Sequence, residues 1–214
     1  MRHESGFFTV HETEVVVAAT ARLVPGPADD PAEAGHPGAR EADVVHYIDT
    51  TLAALRSGPA RVHAGGPWSD RHAAGPNHMA GFIPPGPATR IAWERRLAAW
   101  QGRYRDGLAQ LDVLVGGDFT AASPAAQDEI LASSAAADFV GLLFSHAIEG
   151  MYANPEYGGN RGLAGWADIG FPGDAQPRGY RDEEVERCDG YDPIERTAIL
   201  DELIAKLRID WTPD

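Results

Sequence analysis

RIAWERRLAAWQGRYRDGLAQLDVLVG, residues 90–116, is the stretch that settles the fold class. Trp93, Leu97, Trp100, Tyr104, Leu108, Leu111 and Val115 recur at steps of three and four. That spacing lays an apolar stripe along a helix of about seven turns. Aromatic residues at this spacing are read as the seam of a core, in preference to a cofactor box. Arg90, Arg95, Arg96, Arg103 and Arg105 fall on the other faces, a surface that is either solvated or turned to a partner. Gly116-Gly117 stops the helix, because glycine readily takes the left-handed backbone that ends a helix.

Upstream of this helix, residues 57–87 are the least regular part of the chain. They are crowded with Gly and Pro and hold Trp68, Met79, Phe82, His63, His72 and His78. A connection of about 30 residues is long for a compact domain, so an irregular, extended insert laid over a surface is expected. The histidine spacing matches no common metal-ligand pattern, and surface histidines are the expected reading. Earlier still, Val44, Ile48, Leu52 and Leu55 sit at helical spacing, with Gly38 to Glu41 opening that helix. Thr9 and Glu12 form a capping-box pattern before a helix from Val10 to Leu23, which Pro25, Pro27 and Pro31 end.

Downstream, Phe119 anchors a turn, and Ser123-Pro124 is an N-cap followed by proline at the first helical position. One helix runs from Pro124 to Ala136. The next runs from Asp138 to Tyr152, with Phe139, Leu142, Leu143, Ala147 and Met151 as its buried set. EGMYANPEYGGNRGLAGWADIGFPG, residues 149–173, follows with seven glycines, two prolines and four aromatics, a mixture that no regular helix or strand tolerates. A polar loop over 174–193 leads to a last helix, introduced by Asp192-Pro193-Ile194-Glu195 and burying Leu200, Leu203, Ile204 and Leu207. No strand signal survives. The expectation is a single all-α domain over 1–214, an irregular bundle of about six helices with long Gly/Pro-rich connections.

Composition narrows the function. The 214 residues are 43% hydrophobic, enough for a real core. A net charge of −14 argues against nucleic acid and against anionic lipid, both of which need a basic face. No segment approaches the ~18 apolar residues of a membrane span. The single cysteine, Cys188, excludes an intrachain disulfide and any cysteine-built zinc or iron–sulfur site, and its acidic neighbours disfavour a thiolate. The sequence as written carries no export signal, so cytoplasmic residence is expected, or the periplasm if a partner co-exports the chain.

Neither a glycine-rich phosphate loop in a strand–turn–helix setting nor a G-x-S-x-G elbow is present. His146 and Glu149, three apart on one helix face, could hold a metal or move a proton in a stand-alone metal-assisted oxidoreductase. A di-iron bundle needs two Glu-x-x-His motifs and further carboxylates. A structural hydrogen bond or an interface contact is therefore the favoured reading of the pair. No cofactor is expected in this chain. The 149–173 stretch has two readings: a tight turn whose glycines supply positive φ, or a docking surface with Tyr157, Arg161, Trp166 and Phe171 as anchors.

Glu149-Gly150-Met151-Tyr152, Asn154-Pro155-Glu156-Tyr157-Gly158-Gly159-Asn160-Arg161, Gly165-Trp166 and Ile169-Gly170-Phe171-Pro172-Gly173 together resemble the C-terminal signature of the gluconate 2-dehydrogenase subunit 3 family. The Phe8-Thr9 helix start, Pro37-Gly38-Ala39-Arg40-Glu41-Ala42 and Tyr104-Arg105-Asp106-Gly107-Leu108 are similar to other recurrent blocks of that family. The resemblance implies a small, non-catalytic subunit that stabilises or matures a large FAD-binding oxidoreductase of the glucose–methanol–choline (GMC) type. It implies sugar or polyol oxidation by that partner, and in many such complexes a cytochrome c subunit that takes the electrons. Family members often carry a twin-arginine leader; this sequence as written has none. Under this resemblance the partner-binding residues are Tyr157, Gly158, Gly159, Asn160, Arg161, Trp166, Phe171 and Pro172.

Overall fold

The computed structural model describes residues 6–55 and 83–171. The chain divides into two compact units, Met1–Pro177 and Arg178–Asp214, and all described residues belong to the first. The expectations for the 57–82 insert, Pro172, the 174–193 loop, Cys188 and the last helix lie outside the described residues.

Six α-helices and no sheet make up the described part: α1 (Val10–Leu23), α2 (Val44–Leu52), α3 (Pro87–Val115), α4 (Pro124–Leu131), α5 (Ala137–Tyr152) and α6 (Ala164–Asp168). The all-α expectation holds there. Several boundaries follow local chemistry. Thr9 and Glu12 form both halves of the capping box at α1. The Ser123 hydroxyl caps α4 through the Ala126 amide, with Pro124 behind it. Gly116 closes α3 in the left-handed region at φ 73°.

Several boundaries differ from the sequence reading: α3 begins at Pro87, the last residue of the expected 57–87 insert and three before Arg90. Residues 38–43 form turns, and α2 begins only at Val44. Asp43 takes a left-handed φ of 56°, which breaks any helix opened at Gly38, and Glu41 turns back to accept the Gly38 amide at 2.9 Å. α4 ends at Leu131, five residues before Ala136, because residues 132–136 pass through turns. The glycine-rich stretch after α5 is not wholly irregular: it holds two 3-10 turns, Pro155–Tyr157 and Arg161–Leu163, and the short helix α6.

α1, α2, α3 and α5 surround one core. Val15, Val16, Ile48, Leu52, Leu108, Leu111, Phe119, Leu143, Ala147 and Met151 are buried in it. α5 lies across both α2 and α3. At the α3 crossing Gly107 meets the Phe139 ring, so that a Cβ at this position would overlap the ring. At the α2 crossing the Tyr47 side chain rests against Gly150. The helix axes approach closely where these two glycines remove a side chain. The N-terminal residues are pinned from below: Asp49 Oδ1 accepts the Phe7 and Phe8 amides at 2.7 and 2.9 Å.

Candidate functional site: the loop knot after helix α5

The 154–171 stretch is folded back onto the end of α5 and tied there by Asn160. This side chain has no solvent exposure. Its backbone is left-handed, at φ 48°, which asparagine tolerates better than most residues. Its amide donates to the Gly150 carbonyl at 2.7 Å, and its own carbonyl accepts the Leu163 amide at 2.9 Å. Nδ2 donates to the Ala153 carbonyl at 3.2 Å, and Oδ1 accepts the Gly165 amide at 3.0 Å, with the Trp166 amide at 3.5 Å. One side chain thus satisfies the end of α5 and the start of α6 together, the groups that helix termini leave open.

The glycines let the backbones touch. A Cβ on Gly159 would overlap the Gly150 carbonyl oxygen, and one on Gly165 would overlap the Met151 carbonyl oxygen. Gly158 sits at φ 107° against Thr50 and His46 of α2. The indole N–H of Trp166 donates to the Tyr152 carbonyl at 2.7 Å, and the ring stacks edge-on with Phe171 at 4.9 Å.

Arg161 carries the knot to a second loop. Its amide donates to the Ala42 carbonyl at 3.0 Å, and its guanidinium pairs with Asp43. That loop is itself locked. Gly38 passes so close to Gly26 that no Cβ fits, the Ala39 amide donates to Val24, and Arg40 pairs with Asp29 at 2.8 Å. The sequence blocks around 37–42 and 154–166 are therefore two halves of one clasp.

The block around Tyr104 is explained in the same way. The buried Tyr104 hydroxyl lies 2.9 Å from Nδ1 of the buried His146. Trp100 stands edge-on to the His146 ring at 4.6 Å. Burial pushes the Tyr104 hydroxyl well above its usual pKa, with the Glu149 charge adding to it. Burial also pushes the His146 imidazole below its usual value, against the opposing pull of Glu149. Glu149 instead accepts a hydrogen bond from Tyr47 at 2.9 Å, and burial together with that carboxylate raises the Tyr47 hydroxyl. His146 and Glu149 thus each hold a different tyrosine, and His146 is only 2% exposed. Arg105, beside Tyr104, lies over the Phe7 ring at 4.8 Å.

Of the eight residues assigned to partner binding, Gly159, Asn160 and Trp166 are buried in the chain itself. The side chains of Asn160 and Trp166 are engaged in holding the clasp. Gly158 is half-buried. Tyr157, Arg161 and Phe171 reach solvent, and Pro172 lies outside the described residues. Next to the clasp, a half-open groove of about 520 Å³ runs between α1 and α2, lined among others by Phe8, Thr13, Asp43, His46 and Asp49.

Sequence reading missed one cluster. His11, Asp112 and Asp118 converge at the mouth of α1, their ligand atoms within 4.8 Å of one another. His11 lies 101 or more positions from the two aspartates, so no local spacing could reveal the cluster. Asp112 receives the Phe119 amide and Asp118 the Thr120 amide, both at helix-turn starts. Asp112 also holds His11 at 2.8 Å and raises its pKa. The cluster closes the α3–α4 corner onto α1.

The molecule, in its described part, is an all-α scaffold whose buried polar groups hold its own loops in place. A family model described as Gluconate 2-dehydrogenase subunit 3 matches residues 10–173, and the chain belongs to that family. No curated protein and no solved structure matches the chain significantly. The family is by name a subunit of a dehydrogenase complex, which implies a protein partner. Among the described residues no helix is long and apolar enough to cross a membrane.

Proposed function

We propose that this chain is the non-catalytic small subunit of an FAD-dependent GMC-type sugar or polyol oxidoreductase, which it stabilises or helps to mature. Membership of a family defined as subunit 3 of a dehydrogenase carries this reading. The local chemistry is consistent with it. Two buried polar side chains of the scaffold, His146 and Asn160, are each engaged within the chain. FAD belongs to the large partner, and a cytochrome c subunit is the acceptor in the fuller version of the complex. Residence follows the partner: cytoplasmic if the complex stays there, periplasmic if the two are exported together.

The test is co-expression of this chain with a GMC-type flavoprotein from the same genome, followed by co-purification and flavin absorbance. A stable complex, with flavin content and activity that fall when this chain is left out, is the expected result. A flavoprotein that is soluble, fully flavinated and active alone would overturn the proposal. A stand-alone metal-assisted enzyme using His146 and Glu149 is the weaker reading, because those two side chains hold Tyr104 and Tyr47 and His146 is buried.

A further inference from the structure

The first three turns of α3 are hard to explain as part of this chain alone. From Pro87 to Arg96 every residue is exposed except the half-buried Trp93, and the first buried side chain is Leu97. Only Trp93 of this segment packs inward, beside the buried Ala54 and Leu97, and bridging to another domain is one recognised role for a helix that is polar on its remaining faces. The segment is also chemically unlike the rest of the molecule. Residues 90–105 carry five of the chain's eighteen basic residues against Glu94 as the one acid, in a chain of net charge −14.

The arginines elsewhere in the described part are neutralised by the chain's own acids: Arg22 by Asp128, Arg40 by Asp29 and Arg161 by Asp43. On α3 only Arg90 has such a partner, in an exposed pair with Glu94 one turn away. Arg95, Arg96, Arg103 and Arg105 make no ion pair with any described carboxylate. Arg96 lies instead over the Trp93 ring at 4.8 Å and within 5.8 Å of Trp100, with Trp100 edge-on to Trp93. A guanidinium held flat on an aromatic face keeps its N–H fork open to a carboxylate. Ile91, 50% exposed, adds an apolar contact on the same segment. Tryptophan and arginine together are the residues that dominate protein interfaces.

We infer that the overhanging start of α3, centred on Trp93, Arg95 and Arg96, is the face through which this subunit docks onto an acidic surface of its protein partner. The inference rests on the subunit reading above and names the surface that reading requires. Charge complementarity chooses the occupant. A second copy docking through this same face would bring the same arginines into apposition, and the net charge disfavours nucleic acid.

The test uses the co-expressed complex. Wild-type chain is first shown to co-purify with the flavoprotein subunit, and its Kd is measured at low and high salt. Arg95→Glu/Arg96→Glu is then compared with Arg95→Lys/Arg96→Lys. The expected result is a loss of roughly 30-fold or more in affinity for the reversed pair, a smaller loss for the lysine pair, and a wild-type Kd that rises with salt. Circular dichroism and the thermal midpoint serve as fold controls, since both side chains are exposed. Equal co-purification of the reversed pair with wild type would overturn the inference while leaving the subunit reading standing. Failure of wild type to bind any flavoprotein would overturn the subunit reading, and the inference with it. Salt-sensitive self-association of wild type, abolished by the reversed pair, would assign the face to a second copy and overturn the acidic partner.

Discussion

Two regions of the molecule invert the usual link between regularity and packing. The 154–171 stretch has little regular backbone, five left-handed stations at Gly158, Asn160, Gly162, Leu163 and Gly170, and buried side chains of its own at Asn160 and Trp166. The start of α3 has a flawless helical backbone and almost no buried surface. The first is ordered by hydrogen bonds and close backbone contact with distant parts of the chain. The second is ordered by continuity with the packed half of its own helix. Irregular backbone is costly unless every polar group finds a partner. Its presence in a buried place therefore signals a built structure, whereas an exposed regular helix makes no such demand on its surroundings.

If the comparison is right, substitutions in the two regions differ sharply in effect. Asn160→Ala removes both side-chain partners of a buried knot and is expected to destabilise the fold by about 2–4 kcal/mol, read from denaturant unfolding. Asn160→Gly relieves the left-handed strain and loses about 1 kcal/mol less than the alanine variant; equal losses would mean that the backbone angle is unimportant. Gly159→Ala drives a methyl onto the Gly150 carbonyl and is expected to cost about 1–3 kcal/mol, with the damage visible at the end of α5. A neutral result would show that the two backbones can part freely.

Tyr104→Phe leaves Nδ1 of His146 without its buried partner, and about 1–2 kcal/mol is expected to be lost. The same pair sets a pH dependence. The folded-state pKa of His146 lies below its unfolded value of 6.5. Between those two values the unfolded chain binds the proton and the folded chain does not. This contribution to stability is therefore complete above pH 6.5 and is lost as pH falls towards the folded pKa. His146→Phe should flatten that slope. His36, raised by its hydrogen bond to Asp168, has the opposite sign: its contribution is present below pH 6.5 and lost as pH rises through its folded pKa. At the small end, Arg95→Ala should leave the stability of the isolated chain within about 0.5 kcal/mol of wild type. A larger loss would mean that the overhang is anchored within this chain after all.

Those expectations also mark what was legible beforehand. The stripe of α3, the capping box at Thr9, the Ser123-Pro124 start of α4 and the span of α5 rest on neighbours three and four residues away, so the sequence displays them. Leu97, Tyr104, Leu108 and Leu111 are buried as the spacing predicts, while Trp93, Trp100 and Val115 are half-buried. The left-handed Asp43 was not legible, since its partner Arg161 is 118 positions away. Nor was the burial of Asn160: a polar residue in a glycine-rich stretch reads as a surface turn until the five backbone groups around it are in place. Of the two readings of the glycine-rich stretch, tight turn and docking surface, that burial bears on the first. The inner residues belong to the turn, and Tyr157, Arg161 and Phe171 remain at the surface.

The clasp also has a place in time. Asn160 bonds to groups close to it in sequence, whereas Arg161 reaches Ala42 and, 118 positions away, Asp43. Contacts closed across such a separation form late, because the chain between them must be ordered first. Variants at Arg161 should therefore leave the refolding rate of the chain nearly unchanged and speed its unfolding, the pattern of a residue absent from the transition state. The clasp would then act as a latch on a fold already made, setting how long the folded subunit lasts before it meets its partner.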